Sequence, residues 1–249
     1  MALLAEHLVG RVAELDGLDQ VLAELDRGRS GAIELVGEPG IGKTRLLREL
    51  AARAEERGQL VLAGSATEFE RDLPFSVFVD ALDEYVQGLE ATRLAALGDD
   101  VRTELAHVFP SLSALASGHP AALQHERYRS HRAIRELLEQ LATTKPLVLV
   151  LDDFHWADAA SAELLGALLR RPPAAAVLIA LAVRPRQMPE RLSAALERAQ
   201  RAATLTRIEL GPLTRAEARD LLGGAVDGAE ADTLYEEGGG NPFYLERGR

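Results

Sequence analysis

Leu15, Leu18, Leu22 and Leu25 recur at helical spacing and predict a helix over residues 12–25, ended by a polar, glycine-containing break at 26–30. The run AIELVG at 32–37 is apolar on both faces but for one acid, and reads as a buried strand closed by glycine. A helix follows over 44–57, stopped at Gly58, and then a second strand, LVLAG, over 60–64. Phe75, Phe78, Val79, Leu82, Val86 and Leu89 predict a helix with Pro74 or Phe75 near its first turn, and a second helical stretch covers 93–108. Residues 111–124 mix Pro, Gly, Ser and Ala without period and predict a mobile loop ahead of a helix over 126–142. PLVLVLDD at 146–153 is a strand ending in two acids, followed by a helix over 161–170. AVLIALAV at 176–183 and TRIEL at 206–210 read as two more strands, separated by a helix over 191–201. After Pro212 the pattern changes to two short helical segments, 214–223 and 229–237, with no strand.

Strands that alternate with helices and are apolar on both faces imply a parallel sheet covered on each side. The expected architecture is α/β, with a five-stranded parallel sheet flanked by helices and the beginning of a C-terminal helical lid. Residues 1–211 form the expected core, with a helical insertion at about 72–124, and residues 212–249 the lid. A chain of 249 residues is long enough to bury a core without staples. It has no cysteine, which excludes disulfides, thiolate zinc sites and cysteine nucleophiles and fits a reducing compartment. The net charge of −11, with no basic stripe interleaved with aromatics, argues against direct nucleic-acid binding by this segment. No apolar run approaches 18 residues, and the first ten residues lack a basic region followed by an apolar one. The expectation is a soluble, cytoplasmic protein with no membrane contact.

GEPGIGKT, residues 37–44, satisfies G-x-x-x-x-G-K-[ST] between a predicted strand and a predicted helix. Glycines at 37, 40 and 42 let such a loop curl so that backbone N–H groups face inward at the N-terminus of the next helix, where an anion is favoured. Lys43 would reach the β- and γ-phosphates, and the Thr44 hydroxyl would ligate Mg²⁺. Only Lys43 and Lys145 are lysines, so a lysine at the required position is a specific signal. The strand 146–153 delivers Asp152 and Asp153 to its carboxyl end, where ligands sit in open α/β sheets. Asp152 would hold Mg²⁺ directly or through water, and Asp153 would polarise the attacking water; the alternative is a solvated strand end or helix cap. These parts make the fold expectation a P-loop NTPase binding ATP or ADP with Mg²⁺.

Several further segments resemble, in the same order, the ATPase domain of the signal-transduction ATPases with numerous domains (STAND), and within them the large ATP-binding LuxR-type transcriptional regulators. They are LVGRVAEL (8–15), GSATEFERDLPF (64–75), LDDFHWAD (151–158), the strand ending in Val183, Arg184 and Pro185, LGPL (210–213) and GGNPFYLE (239–246). Val12 departs from that family, which usually has Glu after the arginine. The resemblance implies that Val9, Gly10 and Arg11 border adenine and ribose, that Pro39, Ile41 and Arg45 belong to the nucleotide-binding loop, and that Arg184 senses the γ-phosphate. It also implies that Pro242 packs on the nucleotide from the lid. Read from the residues alone, Arg11 and Arg184 are equally surface or capping arginines, and Pro242 a first-turn helix proline.

His155 and the sole tryptophan, Trp156, read as packing elements, and Glu68 and Glu70 as a solvated loop. Arg127, Arg129, Arg132 and Arg135 read as a salt-bridged exposed helix face. The histidines show no metal-ligand spacing. The functional expectation is a Mg-ATP-binding, slowly hydrolysing regulatory switch, the ATPase module of a longer LuxR-type regulator. The winged-helix, sensor and DNA-binding domains of that parent lie outside this sequence, and self-association is possible. The alternatives are a non-hydrolysing nucleotide-binding module and an oligomeric AAA-type remodelling ATPase.

Overall fold

The computed structural model describes residues 8–115, 123–185, 187–223 and 226–248. Strands β1 (Gly31–Val36), β2 (Leu60–Ser65), β3 (Leu147–Asp152), β4 (Val177–Val183) and β5 (Leu205–Glu209) form one sheet in the order β2-β3-β4-β1-β5. Every pairing is parallel. The α/β class and the five-stranded parallel sheet with helices on both faces are therefore present as expected. The register sets Val36 beside both Val183 and Glu209, and Ser65 beside Asp152, so the strands end along one edge.

Apolar side chains on both strand faces feed two cores. Ile33, Leu35, Val148, Val150, Leu178, Ala180 and Ala182 pack under helices α1 (Val12–Asp26) and α2 (Lys43–Glu56) through Leu18, Leu22, Leu46, Leu47 and Leu50. The alternate residues Leu147, Leu149, Leu151, Ile179, Leu181 and Val183 face the opposite layer. That layer contains α3 (Ser76–Gln87), α5 (Asp99–Ala106), α6 (Leu123–Leu141), α7 (Ala159–Arg170) and α8 (Glu190–Arg201), with Phe78, Leu82, Phe109, Leu137 and Leu164 wholly buried.

The structure departs from the periodicity at four places. The helix expected over 93–108 is two helices, α4 (Ala91–Ala95) and α5, broken at Gly98. Gly98 has φ 80°, and Asp99 and Asp100 open α5, where carboxylates favour the positive end of the helix dipole. The apolar spacing of Leu94, Leu97, Val101 and Leu105 ran through the break and hid it. The segment expected to be a loop over 111–124 instead contains a 3₁₀ turn at Pro110–Leu115 that buries Leu112, and α6 begins at Leu123. Residues 116–122 of that expectation lie outside the described residues. Helix α3 starts at Ser76, so Phe75, the first residue of the expected apolar series, is its left-handed cap just outside the helix.

The fourth departure is a third helix after Pro212. Helices α9 (Arg215–Leu222), α10 (Gly228–Gly238) and α11 (Pro242–Gly248) share a small apolar cluster of Leu213, Ala218, Leu222, Ala231 and Leu245. Thr214 and Glu217 form a reciprocal capping box at the start of α9. The four helix-face arginines are ion-paired where described: Arg129 with Glu104 (3.6 Å), Arg132 with Glu136 (2.6 Å) and Arg135 with Glu139 (3.7 Å). The side chain of Arg127 lies outside the described residues. Among the described residues no helix is long and apolar enough to cross a membrane.

Candidate functional site

The loop 37–44 leaves β1 and enters α2 at the carboxyl edge of the sheet. Its start is fixed by two main-chain bonds: Gly37 N donates to Val183 O (3.3 Å), and Leu210 N donates to Val36 O (2.8 Å). Gly40 and Gly42 take the left-handed conformation with φ 76° and 105°, which turns the loop back on itself and into the helix. Helix α2 therefore begins at Lys43, and its first N–H groups, including those of Thr44 and Arg45, have no intrahelical acceptor. Lys43 is buried, and its Nζ donates to Gly37 O (2.8 Å) and Glu38 O (2.9 Å). Burial lowers its pKa from the ordinary lysine value, opposed by Asp153, Asp152 and Glu38. An ammonium inside a curled loop at a helix N-terminus fits a polyphosphate.

Asp152 ends β3 beside this loop and is half-buried, and its Oδ1 accepts from Asp153 N (2.8 Å). Asp153 lies in the left-handed region at φ 46°, turning the chain into the 3₁₀ turn Phe154–Trp156. Both carboxylates act on Lys43, as does Arg184, which leaves the end of β4. The structure thus brings Lys43, Asp152, Asp153 and Arg184 to one edge of the sheet. Thr44, next to Lys43, is the hydroxyl available to join Asp152 around a divalent cation, a hard-oxygen pairing that suits Mg²⁺.

His155 was read as packing, and it is indeed buried, but its surroundings are charged. Burial first, then the positive charges of Arg184, Lys43 and Arg71, hold its pKa down at about 4. Neither ring nitrogen makes a hydrogen bond, and Nδ1 lies 3.8 Å from Asp153 Oδ1. Trp156 carries Arg71 over its ring at 4.3 Å, with Arg184 at 5.8 Å.

Asp158, which the sequence reading left unassigned, ties this turn to two helices. Its buried carboxylate caps α7 through Ser161 N (2.9 Å) and caps α3 through Phe75 N (3.0 Å) and Ser76 N (3.1 Å). The only local signal was an acid placed before a helix; the link to Phe75 joins residues 83 positions apart and leaves no trace in the sequence.

The N-terminal box ties the loop to the segment after β5. Arg11 is buried, in the left-handed region at φ 62°, and its Nη2 donates to Ile41 O (3.2 Å) and Gly211 O (2.7 Å). Its guanidinium is therefore committed to two carbonyls, one on each side of the site. Gly10 has φ 69°, the region that favours glycine, and a Cβ there would meet the side chain of Glu217 at the start of α9. Val9, Arg11, Ile41, Gly42, Arg45 and Pro242 line one narrow cavity of about 40 Å³ together with Leu8, Leu46, Leu210, Leu213 and Leu221. Of Val9, Gly10, Arg11 and Pro242, all but Gly10 line this cavity. Pro242 is also the first residue of α11, so it is both a cavity wall and a first-turn proline.

The C-terminal helices rest directly on the loop. Asn241 Nδ2 donates to Pro39 O (2.9 Å), and Phe243 sits so close to Gly40 that a Cβ on Gly40 would lie 2.6 Å from Phe243 Cβ. Arg45 reaches Glu246 at 3.5 Å. Asn241 and Phe243 were not among the predicted site residues; GNPF signalled a lid element without showing which atoms touch the loop.

Similarity to known proteins agrees with this geometry. The chain matches the model of the AAA ATPase domain over residues 7–183. An uncharacterized protein of Rhizobium meliloti (strain 1021) is 28% identical over 224 residues, covering 85% of this chain and 21% of that protein. Hybrid signal transduction histidine kinase G of Dictyostelium discoideum is 25% identical over 182 residues, covering 67% of this chain and 5% of that one. The chain thus spans about a fifth or less of these relatives' length. Among solved structures, Cdc6p from Pyrobaculum aerophilum aligns with a TM-score of 0.54 at 17% identity, covering 92% of this chain and 55% of that one. A RuvB variant from Thermotoga maritima aligns with a TM-score of 0.51 at 16% identity, covering 98% and 62%. These likenesses show a shared P-loop NTPase fold. The matched family model spans both the phosphate-type loop and the paired acids, and the chain belongs to the AAA ATPase domain family.

Proposed function

We propose that this chain is a nucleotide switch, the ATPase module of a longer regulatory protein of the LuxR-type STAND class, which binds Mg-ATP, hydrolyses it slowly and converts nucleotide state into lid position. AAA domains in general bind ATP and often oligomerise; the finer reading rests on the direct seating of the lid on the loop. In it the phosphates lie in residues 37–44 with Lys43 as counter-charge, and Arg184 faces the γ-phosphate. Thr44 and Asp152 hold Mg²⁺, which when bound neutralises phosphate charge, and Asp153 orients and polarises water. Val9, Gly10 and Arg11 border the base and ribose, Pro242 packs on the nucleotide from the lid, and Pro39, Ile41 and Arg45 belong to the nucleotide-binding loop.

The observation that carries the switch is the pair of contacts Asn241–Pro39 and Phe243–Gly40, together with a cavity of about 40 Å³ beneath Pro242. Ligand pockets are roughly 300–1,000 Å³. A purine therefore enters only if α9–α11 move, and that movement pulls on the loop that takes the phosphates. Nucleotide biases the lid only to the extent that ATP and ADP favour different lid positions. The LuxR-type context rests on the ordered motifs of the sequence.

Phosphate release from wild type and Asp153→Asn tests the hydrolytic claim. Slow release that Asp153→Asn abolishes, with Mg-ATP binding kept, supports it; equal background release from both proteins leaves a binding module without turnover. Family membership also favours a self-associating AAA ATPase as a second reading. Activity rising with a Hill slope above one in protein concentration supports that reading, and strict proportionality counts against it.

A further inference from the structure

Arg71 follows the 3₁₀ turn Glu68–Glu70 at the end of β2, where the register sets Ser65 beside Asp152 and so brings this segment to the edge carrying the acids. It is exposed and flanked by Glu70 and Asp72, yet among the described residues it makes no ion pair with a carboxylate. Its guanidinium instead lies 4.3 Å over the ring of Trp156. Arg184 approaches the same ring at 5.8 Å, also within the range of a cation–π contact. His155, wholly buried and tilted against Trp156 with ring centroids 5.1 Å apart, feels Arg184, Lys43, Arg71 and Asp152 together. Three cations delivered from three different strand ends therefore surround the buried His155 and the half-buried Trp156. In a chain of net charge −11, such a convergence beside the curled loop is matched to an anion.

We propose that Arg71 is a further cation for the terminal phosphate of the nucleotide, supplied by the same chain, and that Trp156 is the platform that positions Arg71 and Arg184 together. This rests on the reading of residues 37–44 and Arg184 as the phosphate site. Planar guanidinium groups bind phosphate oxygens in pairs, and an aromatic face holds them flat without neutralising their charge, as a carboxylate partner would. Arg71 discriminates nucleotides by the phosphate it reaches: it contributes to ATP and not to ADP. Trp156 is a positioning residue, acting through the two arginines.

The test measures Mg-ATP and Mg-ADP affinities, by calorimetry and by the emission of Trp156, the sole tryptophan. Wild type is compared with Arg71→Gln, Arg71→Lys and Trp156→Leu. Arg71→Gln is expected to weaken ATP about tenfold while leaving ADP within twofold, and Arg71→Lys to recover part of that loss. Trp156→Leu is expected to lower the same ATP-to-ADP ratio. In wild type, ATP shifts the emission more than ADP, and Arg71→Gln reduces that difference. An unchanged ratio in Arg71→Gln, or equal weakening of both nucleotides, overturns the proposal and leaves the nucleotide site standing. A wild type that binds neither nucleotide removes the phosphate site itself, and the role of Arg71 with it.

Discussion

Asp158→Ala removes a carboxylate that is 3% exposed and serves two helices at once. Oδ1 accepts from Phe75 N (3.0 Å) and Ser161 N (2.9 Å), and Oδ2 accepts from Ser76 N (3.1 Å), Ser76 Oγ (3.3 Å) and Ser161 Oγ (2.5 Å). The hydroxyls can turn elsewhere, but the three N–H groups belong to helix starts and cannot. Losing a cap costs about 1 kcal/mol per helix, and here α3 and α7 both lose theirs. The buried N–H groups of Phe75 and Ser161 are also left without an acceptor, at about 1–3 kcal/mol each. These terms overlap, and together give a loss of about 4 kcal/mol. At about 2–4 °C per kcal/mol for a domain of this size, Tm falls by roughly 8–16 °C. Asp158→Asn keeps one acceptor oxygen and should lose about half as much. Asp152→Ala is the control: its side chain accepts one hydrogen bond and is half-buried, so its cost stays within about 1 kcal/mol. Differential scanning calorimetry of the three variants separates them. If Asp158→Ala unfolds within 2 °C of wild type, or no lower than Asp152→Ala, the double-cap argument is wrong.

Two further outcomes follow from the geometry. His155 has a folded-state pKa of about 4 against an ordinary 6.5, so between these values the unfolded chain binds more protons and stability falls as pH is lowered. The group's full contribution is about 3 kcal/mol, so thermal scans should show wild type losing stability more steeply than His155→Gln from pH 7 to pH 4.5; parallel curves contradict this. Asn241→Ala deletes the bond to Pro39 O and the acceptor for Phe243 N. Hydrogen exchange should then speed up roughly tenfold in α9–α11 and stay unchanged in the sheet, whereas an unchanged lid would show that the contact does not hold it.

The sheet was legible because β3 and β4 are buried on both faces, so their apolar runs are continuous and bounded. The loop 37–44 was legible because its chemistry is local: glycines, lysine and hydroxyl lie within one turn of the chain. What the sequence could not display are contacts between distant segments. Arg11 reads as a helix-start arginine, yet its two carbonyl acceptors lie on Ile41 and on Gly211. Asp158 carries no assignment from the sequence, and only the fold reveals that it caps two helices. His155 and Trp156 carried no spacing signal, and their charged neighbours arrive from β2 and β4. The break at Gly98 was hidden for the opposite reason, because a regular apolar period continued across it.

The central claim is that residues 37–44 hold a nucleotide polyphosphate with Lys43 as its counter-charge. Titration calorimetry of Mg-ATP into wild type and into folded Lys43→Ala tests it most directly. Saturable heat at one nucleotide per chain in wild type, with affinity sharply reduced in Lys43→Ala, is the predicted result. No heat in wild type, or equal affinity in the two proteins, contradicts the account.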